Sequence, residues 1–218
     1  MHTSVEIWAV KNGISITEKQ LDLLAQHQAH VLQTNQHINL TAITDPHEFA
    51  VKHIIDSLTL LPYISHLPPG THLADVGSGA GFPGMVLAIM RQDLHVTLID
   101  SLRKRVNFLQ ETVSALGLTN VKCIHTRAED LKRSDVAFDV CTVRAVAAMD
   151  KLAKWVLPIT KPDGLFLAMK GPDVSDELDR ARPVLDKFGG VVEKVDVVEI
   201  APGLRHSVVV INKTTPPN

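Results

Sequence analysis

The residues best placed to do chemistry form one run, Asp75-Val76-Gly77-Ser78-Gly79-Ala80-Gly81-Phe82-Pro83-Gly84. It lies between a short apolar strand, 72–76, and a helix, 83–90, where a doubly wound sheet receives its ligand. Glycines there let the backbone turn sharply and approach a ligand with no Cβ in the way. Gly79 to Gly84 also fits GxGxxG, so both a dinucleotide and S-adenosylmethionine are candidates. Asp75 separates them. A pyrophosphate is anionic and sits on the positive end of a helix, so a carboxylate at the loop edge would repel it. S-adenosylmethionine carries an ammonium and a sulfonium, and an acid beside such cations is attractive. Asp75, Gly77 and Gly79 therefore point to the methyl donor.

Asp100 closes the next strand, where a carboxylate can accept both ribose hydroxyl protons. NAD enzymes use the same contact, and an acid at a helix start is also favoured by the macrodipole. The third strand runs into Thr126-Arg127-Ala128-Glu129-Asp130, whose backbone and acidic side chains could read an adenine edge. The fourth, Phe138 to Val143, leads to Arg144, where a transferred methyl should point. No base stands there. An exocyclic amine or a hydroxyl must lose a proton on methylation, which calls for one. Cytosine C5 chemistry needs a cysteine nucleophile, and Cys141 sits in mid-strand as a core residue. Guanine N7 has a lone pair and no proton, and needs only to be held in line with the methyl. Arg144 suits such a site as a positioning group or a grip on the substrate. For phosphates the chain offers Arg103-Lys104-Arg105, Lys170 after the fifth strand and Arg205 in the last hairpin. His27, His30 and His37 come without HExxH or a cysteine cluster and read as polar or capping residues, not metal ligands.

The elements that must hold these groups are legible in the periodicity. Thr17-Glu18-Lys19-Gln20 has the form of a capping box before a helical apolar pattern from Leu21 to Leu32. Asp45-Pro46 predicts an N-cap and first helical position, followed by the stripe Val51, Ile54, Ile55, Leu58 and Leu61. Leu67-Pro68-Pro69-Gly70 marks a boundary, giving a helical extension over 1–66 and a main domain over 67–218. Strands then alternate with helices: 95–99, 121–125, 138–143 and 165–169 as strands, 101–116 as a helix capped by Ser101 and stopped by Gly117, and a short helix over 152–157. A helix opens at Asp173, with Pro183 as a possible break. Residues 191–200 and 206–211 pair as a hairpin. The pattern predicts an α/β, Rossmann-like fold with a mostly parallel seven-stranded sheet ending in an antiparallel pair.

Composition narrows the class. Two cysteines, Cys123 and Cys141, without paired spacing argue for a reducing compartment and against a disulfide scaffold or zinc site. With no membrane span and no signal-peptide pattern at the start, a soluble cytoplasmic monomer is the expectation. The net charge of −2 gives no support for RNA, so any RNA surface must be a local basic patch.

Beyond single residues, the chain resembles the glucose-inhibited division protein B family, the 16S ribosomal RNA guanine-N7 methyltransferases. The likeness runs through Asn39-Leu-Thr-Ala-Ile43, His53-Ile-Ile-Asp-Ser-Leu58, the Asp75–Gly84 run, Asp100-Ser-Leu-Arg-Lys-Arg-Val-Asn-Phe-Leu109, Arg127-Ala-Glu129, Arg144-Ala145, Met169-Lys-Gly171 and Arg205-His206. The Phe-Pro-Gly continuation and the N-terminal Asn39 run are more specific than the glycines. Arg103 departs from the pattern, where many relatives carry a small residue. The resemblance implies that Gly77, Phe82, Ala128, Glu129 and Arg144 contact S-adenosylmethionine. It also implies that Lys104, Lys170 and Arg205 face 16S ribosomal RNA or the small-subunit particle. Two other readings stay open: an NAD-dependent oxidoreductase on the same loop, and a noncatalytic ribosome-assembly factor.

Overall fold

In the computed structural model, residues 2–131, 136–144 and 147–215 are described. Two helices come first, α1 (His2–Lys11) and α2 (Glu18–Thr34). The expected capping box starts α2: Thr17 Oγ1 accepts from the Gln20 N–H, and the Gln20 side chain accepts from the Thr17 N–H at 2.9 Å. Asp45 likewise caps α3 (Pro46–Phe49), accepting from the Glu48 N–H at 2.7 Å. The chain then departs from regular α-helix, with a π-helical turn Ala50–Ile55 before α4 (Asp56–Leu58) and α5 (Leu61–Ile64). Such wide turns cluster at functional sites.

The remaining elements alternate: β1 (His72–Val76), α6 (Gly84–Met90), β2 (His95–Asp100), α7 (Arg103–Ala115), β3 (Val121–His125), α8 (Ala128–Leu131), β4 (Phe138–Arg144), α9 (Met149–Val156), β5 (Thr160–Lys170), α10 (Ser175–Lys187), β6 (Gly190–Ala201) and β7 (Leu204–Lys213). They build one seven-stranded sheet in the order β3-β2-β1-β4-β5-β7-β6. The first five strands run parallel, and β7 is antiparallel to both β5 and β6, as the hairpin pattern requires. A parallel sheet must be covered on both faces. Here α9 and α10 pack with Phe138, Cys141 and Phe166 on one side. On the other, α6 and α7 share an apolar cluster with Leu73 and Leu98.

The helices before Leu67 belong to that second cluster. Val5, Leu24, Val31, Ile54 and Leu58 pack in it with Met85, Leu87 and Leu98, so the N-terminal segment is a layer laid on the sheet. Two local expectations change. Ser101 does not cap α7; its N-cap is Leu102, whose N–H is taken by Asp100 Oδ1 at 2.9 Å. Pro183 does not break α10, which runs through it, because its buried residues Ala181 and Leu185 hold both halves against the core. Among the described residues no helix is long and apolar enough to cross a membrane.

Chain order reverses between β1 and β4: β2 and β3 extend the sheet one way, β4 and β5 the other. A crevice opens outside the strand ends at such a switch point.

Candidate functional site

Two hollows meet at that crevice. One, of about 400 Å³, is lined by Thr41, His53, Gly77, Gly79, Phe82, Asp100, Arg105 and Arg144. The other, of about 230 Å³, is lined by Gly77, Asp100, Ala128, Glu129 and Trp155. Gly77, Asp100 and Ser101 belong to both. Of the residues expected from the sequence to hold a methyl donor, all but Asp75 stand in these walls.

Asp75 is the correction. Its side chain is only 1% exposed and lines neither hollow. One carboxylate oxygen accepts from the Gly84 N–H at 3.0 Å and the other from the Thr142 hydroxyl at 3.2 Å. Burial raises its pKa to about 6 against these donors and the nearby Arg144 charge. Asp75 is thus a clasp under the loop, tying it to α6 and β4. A carboxylate at a strand end reads the same in sequence whether it faces out or is folded beneath the turn.

The preference for a cationic nucleotide survives on different grounds. A pyrophosphate site needs free backbone N–H groups at the loop and helix start. Here the Gly77 and Ser78 amides donate to the Ile99 carbonyl, and those of Gly81 and Phe82 to the Ser78 carbonyl. Gly79 donates to Asp100 Oδ2 at 2.9 Å, Gly84 to Asp75, and Met85 to the Gly81 carbonyl. The loop has spent most of its anion-binding capacity on itself. What it offers a ligand is acceptor oxygens, the Asp100 carboxylate foremost, and close backbone approach at Gly77 and Gly79, where φ is +76° and +57°. Acceptors and close backbone approach fit S-adenosylmethionine, whose ribose hydroxyls and ammonium donate.

Phe82 lies at the centre of a stack of rings. His27 packs on one side at 4.8 Å between centroids and His53 on the other at 4.8 Å, with Phe49 meeting it edge-on at 5.5 Å. His27, from α2, is wholly buried, and its Nε2 lies 2.9 Å from the Ala80 carbonyl. A carbonyl only accepts, so Nε2 carries the proton and Nδ1 is left buried without a partner. Burial lowers the His27 pKa to about 4. The N-terminal layer therefore grips the glycine loop directly.

Arg144 ends β4 and is held from four sides. Its Nη1 donates to Asp56 Oδ2 and to the Lys52 carbonyl, both at 3.0 Å, and Nη2 donates to His53 Nδ1 at 3.0 Å. Its guanidinium carbon stands 5.3 Å from the centre of the Phe82 ring. Since arginine only donates, His53 must accept through Nδ1 and carry its proton on Nε2, 2.9 Å from Thr41 Oγ1. Burial and the Arg144 charge together lower the His53 pKa to about 3. The other oxygen of Asp56 lies 2.7 Å from His206 Nδ1, a contact by distance whose angle falls short of a hydrogen bond. His53, Asp56 and Thr41 carried no assigned role in the sequence. The signal available was their place in the Asn39 and His53 runs that carry the family resemblance, close to a proline-started helix.

A third hollow, of about 620 Å³, adjoins the first. Lys52, His53, Asp56, Arg144, Met169, Lys170, Asp173, Glu177 and His206 line it. His53 and Arg144 are the described residues that stand in both walls. Lys170 is not a free cation here, contrary to its expected role as a phosphate contact. Its Nζ is 10% exposed as a side chain and bonds Glu177 at 2.6 Å and the Ala147 carbonyl at 2.7 Å. It ties β5 to α10 and to the segment after β4. Lys104 and Arg205 are exposed, as is Arg103. A separate hollow of about 550 Å³, lined by Tyr63, Asp139 and Lys161, lies at the opposite strand ends, away from all these groups.

The two buried histidines make stability depend on pH. Each has a folded pKa below the unfolded value, so the stability they confer is present above pH 6.5 and lost as pH falls. Asp75, raised to about 6, acts in the opposite sense and offsets part of this. From pH 7 to pH 5 the net loss is about 2 kcal/mol, or roughly 4–8 °C in Tm for a chain this size. His27→Gln should remove most of that drop, because the remaining His53 and Asp75 contributions largely offset each other. A melting temperature that rises on acidification would contradict the assigned protonation states.

The family model described as rRNA small subunit methyltransferase G matches residues 20–207. The chain is 43% identical over 204 residues to a Ribosomal RNA small subunit methyltransferase G of Desulforamulus reducens, covering 91% of this chain and 84% of that one. It is 40% identical over 205 residues to a protein of the same name from Clostridium perfringens, covering 92% and 85%. Among solved structures, TrmN from Thermus thermophilus superposes with a TM-score of 0.59 at 21% identity, over 72% of this chain and 48% of that one. At that identity the likeness is one of fold, a Rossmann-like methyltransferase sheet.

Proposed function

Because the chain belongs to the rRNA small subunit methyltransferase G family, we propose that it methylates N7 of a guanine in 16S ribosomal RNA, using S-adenosylmethionine. That the chain is a methyltransferase of small-subunit ribosomal RNA follows from the family; the acceptor atom is argued from the site. S-adenosylmethionine supplies a methyl group on a positively charged sulfur. Gly77, Gly79, Phe82 and Asp100 in the first hollow, with Ala128 and Glu129 in the second, would hold it. Asp100 would accept from the ribose hydroxyls with the lone pairs left over from Gly79 and Leu102. Asp75 contributes through the loop it clasps.

One observation carries the choice of N7. The wall shared by the donor and acceptor hollows, among the described residues, is His53 and Arg144. Arg144 can only donate. His53 has a pKa of about 3 and both ring nitrogens engaged, so it takes no proton near neutral pH. An acceptor amine or hydroxyl would find no base at this wall, whereas N7 needs none. What the chain provides instead is fixed position, through an arginine pinned from four sides.

Lys104, Arg205 and Arg103 are among the exposed cations, and they would meet RNA phosphates. The test is nucleoside analysis of ribosomal RNA incubated with the protein and labelled methyl donor, on free RNA, on small subunits and on assembly intermediates. 7-Methylguanosine is expected. Label on an exocyclic amine or a ribose oxygen would refute the N7 reading, and no label on any template would favour a noncatalytic assembly role.

A further inference from the structure

The hollow beyond Arg144 is walled by three carboxylates, and they are not equivalent. Asp56 is bonded to Arg144 and touches His206. Glu177 is bonded to Lys170 and accepts from the Met149 N–H at 2.6 Å. Asp173, on the loop after β5, is exposed and, among the described residues, accepts only the Ser175 N–H, through Oδ1 at 3.2 Å. Among the described residues it has no cationic partner. Glu177 keeps its second oxygen free as well, but Lys170 compensates its charge; Asp173 is the carboxylate of this wall that is both exposed and uncompensated.

We propose that the hollow is the acceptor-nucleobase pocket and that Asp173 reads the Watson–Crick edge of the guanine within it. This rests on the reading of the chain as a guanine-N7 methyltransferase. Guanine presents N1–H and the N2 amine side by side, two adjacent donors that a carboxylate accepts together. Adenine and cytosine place a lone pair beside their amine and would face repulsion. Uracil has one N–H flanked by two carbonyls. Only guanine satisfies a carboxylate on this edge with two donors. N7 lies on the opposite side of the purine, so a base held by Asp173 turns N7 away from it, toward the remainder of the wall. That remainder includes His53 and Arg144, which also face the donor hollow. Asp173 does not line the donor hollow, so it is a specificity residue and not a proton acceptor at the reacting atom.

The test uses the full chain and Asp173→Asn. Asparagine keeps an oxygen for the Ser175 N–H and replaces the second acceptor by an amine that opposes the guanine donors. Once the methylated nucleotide is mapped, RNA is prepared with guanosine or inosine at that position; inosine keeps N7 and N1–H but lacks the N2 amine. The parent should methylate the inosine template about tenfold less efficiently in kcat/KM, and Asp173→Asn should lose about ten- to a hundredfold on guanosine. The variant should show little further loss with inosine, because the two changes remove the same contact. Equal guanosine-to-inosine ratios in parent and variant, with 7-methylguanosine still formed, would overturn the role of Asp173 and leave the N7 reading intact. A parent that forms no 7-methylguanosine would refute that reading, and this inference with it. The melting curve of the variant should match the parent.

Discussion

Replacing Arg144 by alanine is expected to lower kcat/KM for methyl transfer by at least about a hundredfold, the scale of loss when a positioning group is misplaced. The structure says why the effect should be large and why it should be accompanied by a loss of stability. The guanidinium bonds Asp56, the Lys52 carbonyl and His53, and lies against Phe82. Its side chain is 17% exposed and that of Asp56 11%. Removing one partner of a largely buried pair leaves the other charge uncompensated, at a cost of about 3 kcal/mol. The decisive variant is therefore Arg144→Lys. It keeps the charge, yet an ammonium cannot reach three acceptors in one plane as a guanidinium fork does. Arg144→Lys should restore most of the melting temperature and little of the turnover. Near-parent turnover in a folded alanine variant would show that Arg144 neither shapes the donor hollow nor holds the acceptor.

Gly84→Ala is expected to cripple donor binding while costing about 3 kcal/mol of stability, at the upper end for overpacking a core. In a chain this size that is roughly 6–12 °C in Tm. Gly84 opens α6, and its N–H is the one Asp75 holds. A Cβ there would stand 2.4 Å from Leu98 Cδ2, 2.6 Å from Asp75 Cβ and 2.7 Å from Asp75 Oδ2. None of these can move cheaply, because Leu98 is fully buried and Asp75 nearly so. Relief would require the loop to lift from β2, carrying Gly77 and Gly79 with it. Calorimetric titration with S-adenosylmethionine and a thermal melt read the two effects separately. Parent-like affinity and a melting point within about 2 °C would show that the close approach at Gly84 is not what seats the loop.

These two variants probe opposite kinds of legibility. The alternation of apolar strands and helices, the capping residues Thr17 and Asp45, and the glycine run at the end of β1 are local patterns, set by backbone conformational preference and by periodic burial. They were enough to give the parallel sheet, its antiparallel end and the position of the crevice. Asp100, Ala128 and Glu129 follow from the same rule, since consecutive parallel strands end on the same side of the sheet.

Side-chain partners across long stretches of chain have no such local signature. Arg144 finds its acceptors at Lys52, His53 and Asp56, about ninety residues earlier, through a π-helical turn that apolar periodicity does not announce. His27, read from sequence as a polar or capping residue, proves to be a buried brace beneath the loop. Asp75 and Lys170 have the right type at the right strand end, but packing commits the first to Gly84 and Thr142 and the second to Glu177. Residue type and spacing determined where a ligand goes and which backbone receives it. Which charged groups remain free to meet that ligand is decided by pairing and burial, and those arise only when distant segments are brought into contact.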